Sequence, residues 1–432
     1  MTRQTHAVSR TSMAIAAVST VVEWYDFTLY LYLATVLSRV FFGGVKGSLV
    51  LTLAGFALAY LLRPLGAIFF GQIGDRFGRR PMMLVSMALV TVAMLVTGLL
   101  PTYAAIGPAA GWLLLMMRCV IGFSVGGEYT GVVAYLLEGA HVHRRGLITS
   151  SASAASEVGG LLAVALSALT VHVLTPAQLD GWGWRIPFLA GAVLAGGVWV
   201  ARSAMQESPD FERQQADGTT PRRPLRHTMT NHGGGVLRAF AISALGSITY
   251  YVGITYVPAF LTSTGALAES TSLWLSVLPA LVVILVTPLA GLLTDRWGRK
   301  PVLVLFCLAS TILPVTLFSA MASGSAPRAL LGAVLLAAVA GGVSAVGAVA
   351  TAEQFPGEGR LSGLALGTTT ATAIFGGLTP WLAQLLVEHT GWRAMPGVMI
   401  AVVGLCVLPV FFALPETAHR EGGLKKPCDK KA

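Results

Sequence analysis

The sequence predicts an all-α polytopic membrane protein, with twelve transmembrane helices arranged as two pseudo-symmetric six-helix bundles. Three observations predict it. Hydrophobic residues make up 55% of the 432 residues and charged residues only 11%, against roughly 25% charged in an ordinary soluble domain. Apolar stretches near the ~20 residues needed to cross a bilayer recur along the chain. One charged motif returns 220 residues after its first appearance. A chain this apolar cannot cover a water-facing surface. A soluble enzyme, a disordered regulator and a secreted disulfide scaffold are therefore excluded.

In order, the apolar stretches place spans at 13–37, 48–70, 82–100, 111–138, 148–174 and 185–203 in the first half. The second half repeats the pattern at 236–261, 272–293, 301–321, 329–352, 361–387 and 395–414. The longest hydrophilic gap, 204–235, separates the sixth span from the seventh. The chain thus divides into an N-terminal six-helix bundle (1–203), a central loop (204–235), a C-terminal six-helix bundle (236–418) and a tail (419–432). The first span carries Glu23 and Asp26 and has no small-residue cleavage site after it, so it is expected to be retained. Cys119, Cys307 and Cys406 lie in apolar stretches and Cys428 in the tail. None has metal-ligand spacing, and neither a disulfide nor a metal site is expected.

The formal charge of +10 is carried by short loops. With both termini and the loops near 71–81, 139–147, 204–235, 294–300 and 353–360 on one side, that side holds 22 Lys and Arg and the other holds five. The positive-inside bias then puts both termini in the cytoplasm. It also explains the basic balance without nucleic acid.

The internal repeat is parallel. Gly71-Gln72-Ile73-Gly74-Asp75-Arg76-Phe77-Gly78-Arg79-Arg80-Pro81 returns as Gly291-Leu292-Leu293-Thr294-Asp295-Arg296-Trp297-Gly298-Arg299-Lys300-Pro301. Trp184-Arg185 with Pro187 returns as Trp392-Arg393 with Pro396, and Glu207-Ser208 as Glu416-Thr417. Two such halves facing each other create a pathway at their interface and can rock around it. In each loop the glycines permit close approach and tight turns. Asp75 and its arginines are expected to pair across helix ends and hold one gate conformation closed. Gly71, Asp75, Arg76, Gly78, Arg79, Arg80, Glu128, Gly291, Asp295, Arg296, Gly298 and Arg299 are the candidate gating residues.

With these motifs in place, the chain resembles the metabolite:proton symporter family of the major facilitator superfamily over nearly its full length. The resemblance rests on Glu23-Trp24-Tyr25-Asp26-Phe27, on Gly71–Arg80, and on Arg118 with Gly122, Gly126, Gly127 and Glu128. It also rests on Trp184-Arg185-Ile186-Pro187-Phe188, Glu353-Gln354-Phe355-Pro356, Gly376-Gly377-Leu378-Thr379-Pro380 and Pro415-Glu416-Thr417. It implies the major facilitator fold and proton-driven uptake across a bacterial inner membrane. Relatives carry di- and tricarboxylates, 2-oxoglutarate, shikimate, aromatic acids, or proline and betaine. In family terms the span-four arginine more usually serves coupling. Ile121 stands where the family often has Gln, and the long coiled-coil extension of the osmosensing member is not found.

Seven ionisable residues fall within the first six spans: Glu23, Asp26, Arg63, Arg118, Glu128, Glu138 and Glu157. Such groups are costly in lipid and face a cavity or one another. Glu23 and Asp26 share a helical face, with Tyr30 one turn beyond. Two adjacent carboxylates disfavour joint ionisation, which suits a proton site. Asp26, Glu23 and Arg118 are therefore the proton-coupling candidates. Arg118, always positive, is also a candidate for a substrate carboxylate. Glu157, in the small-residue segment 150–160, can attract a cationic centre. Tyr30, Tyr250, Tyr251 and Thr370 complete the candidate substrate contacts. Arg63, beside Pro64 and Gly66, reads as a helix deformation, and Glu138 as an interfacial brace.

The expected partners are a proton as coupling ion, the lipid bilayer and a small organic carboxylate. A zwitterion such as proline or betaine is the alternative, and no cofactor is expected. No selectivity-filter repeat, no nucleotide-binding Gly-rich loop and no partnered nucleophile is visible, so a channel, an ATP-driven carrier and an enzyme are set aside. A nontransporting receptor of the same fold is a remoter alternative, and a monomer is expected to suffice.

The orientation is tested with single cysteines in a cysteine-free background. A cysteine near residue 220 should react with an impermeant maleimide only when the cytoplasmic face is exposed. Labelling there from the periplasmic side alone contradicts the topology.

Overall fold

The computed structural model describes residues 9–45, 48–219, 224–267, 271–272, 275–357 and 359–418. The tail 419–432 and several counted basic residues, such as Arg3, Lys46, Arg222 and Arg223, lie outside the described residues.

Among the described residues, twelve long helices carry the fold. In the N-terminal half they are α1 (Arg10–Tyr32, continued by Ala34–Phe42), α2 (Ser48–Phe77), α3 (Arg79–Leu99), α4 (Ala109–Gly139), α5 (Arg145–Val173) and α6 (Arg185–Ser203). In the C-terminal half they are α7 (Gly233–Tyr250, continued through a wide turn to Val257–Ser263), α8 (Val277–Trp297) and α9 (Arg299–Met321). The half is completed by α10 (Ala326–Ala352), α11 (Arg360–Val387) and α12 (Met395–Ala413). Eleven helices among the described residues are long and apolar enough to cross a membrane, and α1, which carries two acids, joins them.

The two halves pack alike. In the first, α2 lies on α4, and α3 on α4 and α6; in the second, α8 lies on α10, and α9 on α10 and α12. Across the halves, α5 packs on α8 and α10, and α2 on the first turns of α11. The lipid-facing side is apolar: Leu51, Leu58, Leu61, Leu65 and Phe69 of α2 and Leu285, Leu289 and Leu292 of α8 are all exposed. In water such a belt would be an aggregation surface; in a bilayer it is the expected exterior.

The twelve expected spans all appear, but the boundaries differ instructively. The stretch 71–81, read as a loop, is almost entirely helical. α2 runs on to Phe77 and α3 begins at Arg79, so Gly78 alone turns the chain, at φ 114°. Gly298 does the same at φ 104°. Hydropathy marks where lipid ends, not where a helix ends, and these charged turns extend beyond the apolar segment. The gap 204–235 contains two short helices, Pro209–Ala216 and Pro224–Asn231. The first is capped by the Ser208 side chain, which accepts from the Phe211 N–H at 3.1 Å.

The α2–α4 crossing fixes the middle of the N-terminal bundle. A Cβ on Gly126 would strike the Arg63 carbonyl and the Ala67 nitrogen, and one on Gly122 the Ala59 carbonyl. Backbone therefore lies on backbone, as small residues allow in membranes. Gly126→Leu should lower the thermal unfolding midpoint of purified protein, by an overpacking cost of about 1–3 kcal/mol or more. An unchanged midpoint contradicts this crossing.

Candidate functional site

A cavity of about 180 Å³ lies between the bundles, walled by α1, α2, α4 and α5 on one side and α7, α10 and α11 on the other. It is smaller than the roughly 300–1,000 Å³ of a drug-sized site. Its ionisable lining is Glu23, Arg63 and Glu157, and its aromatic lining is Trp24, Tyr129, Tyr250 and Tyr251. Serines and threonines stand among the other lining residues, and most of the surface is apolar. Tyr129 bonds Ser153 at 2.7 Å and Ser247 bonds Thr372 at 3.0 Å. The Tyr60 and Tyr251 hydroxyls are bonded to each other, joining the bundles at one wall. The Trp24 ring meets Tyr250 at 5.3 Å.

Beside the cavity sit two acid–arginine pairs from α1. Asp26 is held by both terminal nitrogens of Arg118, each at 2.9 Å, and the pair is buried. Glu23 approaches Arg63 only to 3.7 Å, outside hydrogen-bond reach, and its Oε2 is buried without a hydrogen bond. The two acids expected to share a site thus have separate counter-ions.

The end that carries the repeated motifs is closed, and closed twice over by the same device. Asp75 of α2 accepts from the backbone N–H groups of Leu361 and Ser362 at 3.2 and 2.9 Å, at the start of α11. Asp295 of α8 accepts from Gly146 and Leu147 at 2.8 and 2.9 Å, at the start of α5. The first N–H groups of a helix have no partner within it and carry the positive end of its dipole, so a carboxylate fits there. The approach needs bare backbone. Gly71 lies against Leu361 and Ser362, and Gly291 against Gly146 and Ser150.

Arginines one turn beyond each aspartate extend the closure. Arg79 forks onto Glu138 at 3.1 and 3.0 Å, and Arg360 reaches the same Glu138 from the other half at 2.6 Å. Arg299 forks onto Glu353 at 3.1 Å, and Arg145 approaches that acid at 3.9 Å. Glu207 accepts from the N–H groups of Arg79 and Arg80 at the start of α3, as Glu416 does from Arg299 and Lys300 at the start of α9. Burial pushes the Glu207 carboxyl above its ordinary pKa, and the N–H groups of Ser208, Arg80 and Arg79 pull it back.

Several sequence expectations are corrected. Glu128 is not at the gate. It pairs with Arg202 and Ser86 inside the N-terminal bundle, where every partner belongs to one half. Glu138, read from sequence as a brace, instead joins the halves through Arg360. Arg118 and Tyr30 do not line the cavity. Arg118 is taken up by Asp26, and the buried Tyr30 hydroxyl donates to the Thr52 carbonyl at 2.8 Å. Thr370 is displaced from the wall in favour of Thr368, Thr369 and Thr372. Wide turns at Ala365–Thr369 and Ala373–Gly377 rotate α11 out of regular helical register. Arg76 and Arg296 are exposed, and among the described residues neither makes a side-chain hydrogen bond or ion pair across the halves. Arg80 donates to the Ser203 carbonyl within its own half. Glu157, Tyr250 and Tyr251 do line the cavity.

Sequence reasoning missed Trp24, Tyr60, Tyr129 and the pairs around Glu138 and Glu353. The last left a trace: Glu138 precedes Arg145 by the same seven residues that separate Glu353 from Arg360.

A family model described as "Sugar (and other) transporter" matches residues 12–230, and one described as "Major Facilitator Superfamily" matches residues 239–429. The chain is 30% identical to the proline/betaine transporter of Salmonella typhimurium, over 95% of this chain and 84% of that one. It is 31% identical to the citrate-proton symporter of Klebsiella pneumoniae, over 89% and 87%. Among solved structures, it shares the fold of the proton:xylose symporter XylE bound to 6-bromo-6-deoxy-D-glucose. That match has a TM-score of 0.81 and 19% identity, over 94% of this chain and 96% of that chain. The family resemblance read from the sequence is borne out.

The closed end makes a testable demand. Asp75→Asn should raise hydrogen exchange at the Leu361 and Ser362 amides at least about tenfold, the equivalent of about 1.4 kcal/mol. Asp295→Asn should do the same at Gly146 and Leu147, more weakly, because Asp295 is the less buried of the two. Unchanged exchange at α11 in the Asp75 variant contradicts the assignment.

Proposed function

The chain belongs to the major facilitator superfamily, and from that premise we propose that it is a proton-coupled secondary transporter that takes up a small carboxylate-bearing solute by alternating access. One observation carries the proposal: α1 holds two buried acids, each facing its own arginine, and one of these pairs, Glu23 with Arg63, lines a small cavity between two bundles closed at one end. The positive-inside bias assigns the closed end to the cytoplasm, in a bacterial inner membrane. One chain contains the whole cavity, which supports a functional monomer.

Glu23, Asp26 and Arg118 form the coupling group. An ionised Asp26 holds Arg118, and protonation of Asp26 releases it. Glu23 stands at the cavity edge, faced by Arg63 of α2, with the buried Glu128–Arg202 pair nearby. A proton entering from the cavity meets Glu23 first. Asp26→Asn in proteoliposomes should abolish uphill uptake while leaving solute exchange down a gradient. Uphill uptake at the wild-type rate and proton stoichiometry rejects this group as the coupling site.

The cavity favours a zwitterion over a polycarboxylate. It offers one guanidinium and two carboxyls, and Arg118, the cation expected to meet a substrate carboxylate, is held by Asp26. A solute with one carboxylate and one cationic nitrogen complements this set, and aromatic rings suit such a nitrogen. The likeness to a proline/betaine transporter supports this reading, and the likeness to a citrate-proton symporter supports the carboxylate alternative. Thermal stabilisation of purified protein by L-proline, glycine betaine, succinate and citrate separates them. The zwitterions should stabilise, and Glu157→Gln should weaken them at least about tenfold through loss of a charge partner. Stabilisation by succinate or citrate alone overturns the zwitterion reading.

A further inference from the structure

Among the described residues, Arg63 is the one guanidinium in the cavity lining, and it is loosely held. Its guanidinium carbon lies 4.5 Å from the Phe27 ring centroid and 4.5 Å from that of Tyr60, and those centroids are 4.6 Å apart. The cation therefore rests in the corner of two nearly perpendicular rings. Such a corner suits a weakly hydrated guanidinium and fixes its position. It supplies no acceptor for the N–H groups. Among the described residues, the Arg63 side chain makes no hydrogen bond, and its one ion pair is the 3.7 Å approach to Glu23.

Among the described residues, the arginine pairs with both side chains buried are closer. Arg118 has Asp26 at 2.9 Å, and Arg79 has Glu138 at 3.0 Å. Guanidinium donors away from bulk water are costly to leave unmade. Two neighbours share the deficit: Trp24 Nε1 and Glu23 Oε2 are buried without partners on the same wall. The wall thus carries donors from Arg63 and Trp24 that no acceptor holds firmly.

We propose that Arg63 is the specificity-determining residue that receives the solute's carboxylate. The carboxylate exchanges the loose Glu23 contact for charge-assisted hydrogen bonds from the guanidinium, with the Trp24 indole N–H as a further donor. Glu23 is thereby released from its counter-ion when solute arrives. This rests on the transport reading but holds for a carboxylic acid and a zwitterion alike. The Gly126 contact on the Arg63 backbone sets the depth of the anchor.

The test uses purified full-length protein and the ligand-dependent rise of its unfolding midpoint with L-proline, glycine betaine and succinate. Each stabilising ligand is paired with its amide: L-prolinamide, betaine amide or succinamide. The wild type should prefer the carboxylate over the amide by about 30-fold or more, the span expected of a charge-assisted pair. Arg63→Gln should bring that ratio near one. Arg63→Lys should lose about tenfold in affinity and keep the preference, since it retains charge without the fork. Glu23→Gln should bind succinate, where succinate is a ligand, as tightly as the wild type or more tightly. An unchanged carboxylate preference in folded Arg63→Gln overturns the proposal and leaves the transport reading intact. If Arg63→Gln does not fold, the lysine variant decides: loss of the preference with the charge retained overturns the proposal. No stabilisation of the wild type by any of the three overturns both.

Discussion

A carboxylate on the open N-terminus of a helix from the opposite half is the interaction on which the closed state depends. Asp75 holds the start of α11 and Asp295 the start of α5. Each satisfies two N–H groups that have no partner within their own helix. Hydrogen bonds to a charged group contribute about 1.5–3 kcal/mol each, enough to favour one arrangement and little enough to be reversed. The motif is spaced for this task. A glycine four residues before each aspartate lets the foreign helix in, and a glycine three residues after it turns the chain so that the arginine reaches back. Glu138 and Glu353 then tie each arginine to a neighbouring helix.

The same two captured helices continue into the cavity. α5 contributes Ser153, Ser156 and Glu157 to its wall, and α11 contributes Thr368, Thr369 and Thr372. Whatever fills the cavity touches the elements whose first turns the aspartates hold. Coupling between two sites requires an element with two arrangements that both sites bias. α11 has the means to bend, with wide turns at Ala365–Thr369 and Ala373–Gly377 between its two ends. Gly376 admits the Tyr251 ring at the second of these turns.

Much of this was legible in the sequence. The spans followed from apolar length, and the gate aspartates from a motif that appears twice. Their partners were not legible, because a backbone N–H carries no sequence mark and the receiving turns differ between Gly146-Leu147 and Leu361-Ser362. Charge alone misplaced Glu128, whose counter-ion Arg202 lies 74 residues away within the same bundle. Arg118 was expected to serve substrate and proton together, but it forks onto Asp26 and does not line the cavity. Only its hydroxyl marked Thr370 among neighbouring threonines, and the wide turns of α11 present Thr368, Thr369 and Thr372 instead. Trp24 and Tyr60 were hidden for another reason: an aromatic in an apolar span looks like packing until the opposite wall is known.

The central claim is that the two halves separate at the end held by Asp75 and Asp295 while the cavity's contents decide when. The most direct measurement is an electron–electron distance between spin labels at Arg76 and Arg296. Both are exposed at that end, one on each half. In membranes, the account predicts two distances several Å apart, with populations shifted by a transported solute and by Asp75→Asn. A single distance, unmoved by solute, pH or Asp75→Asn in protein that transports, contradicts it.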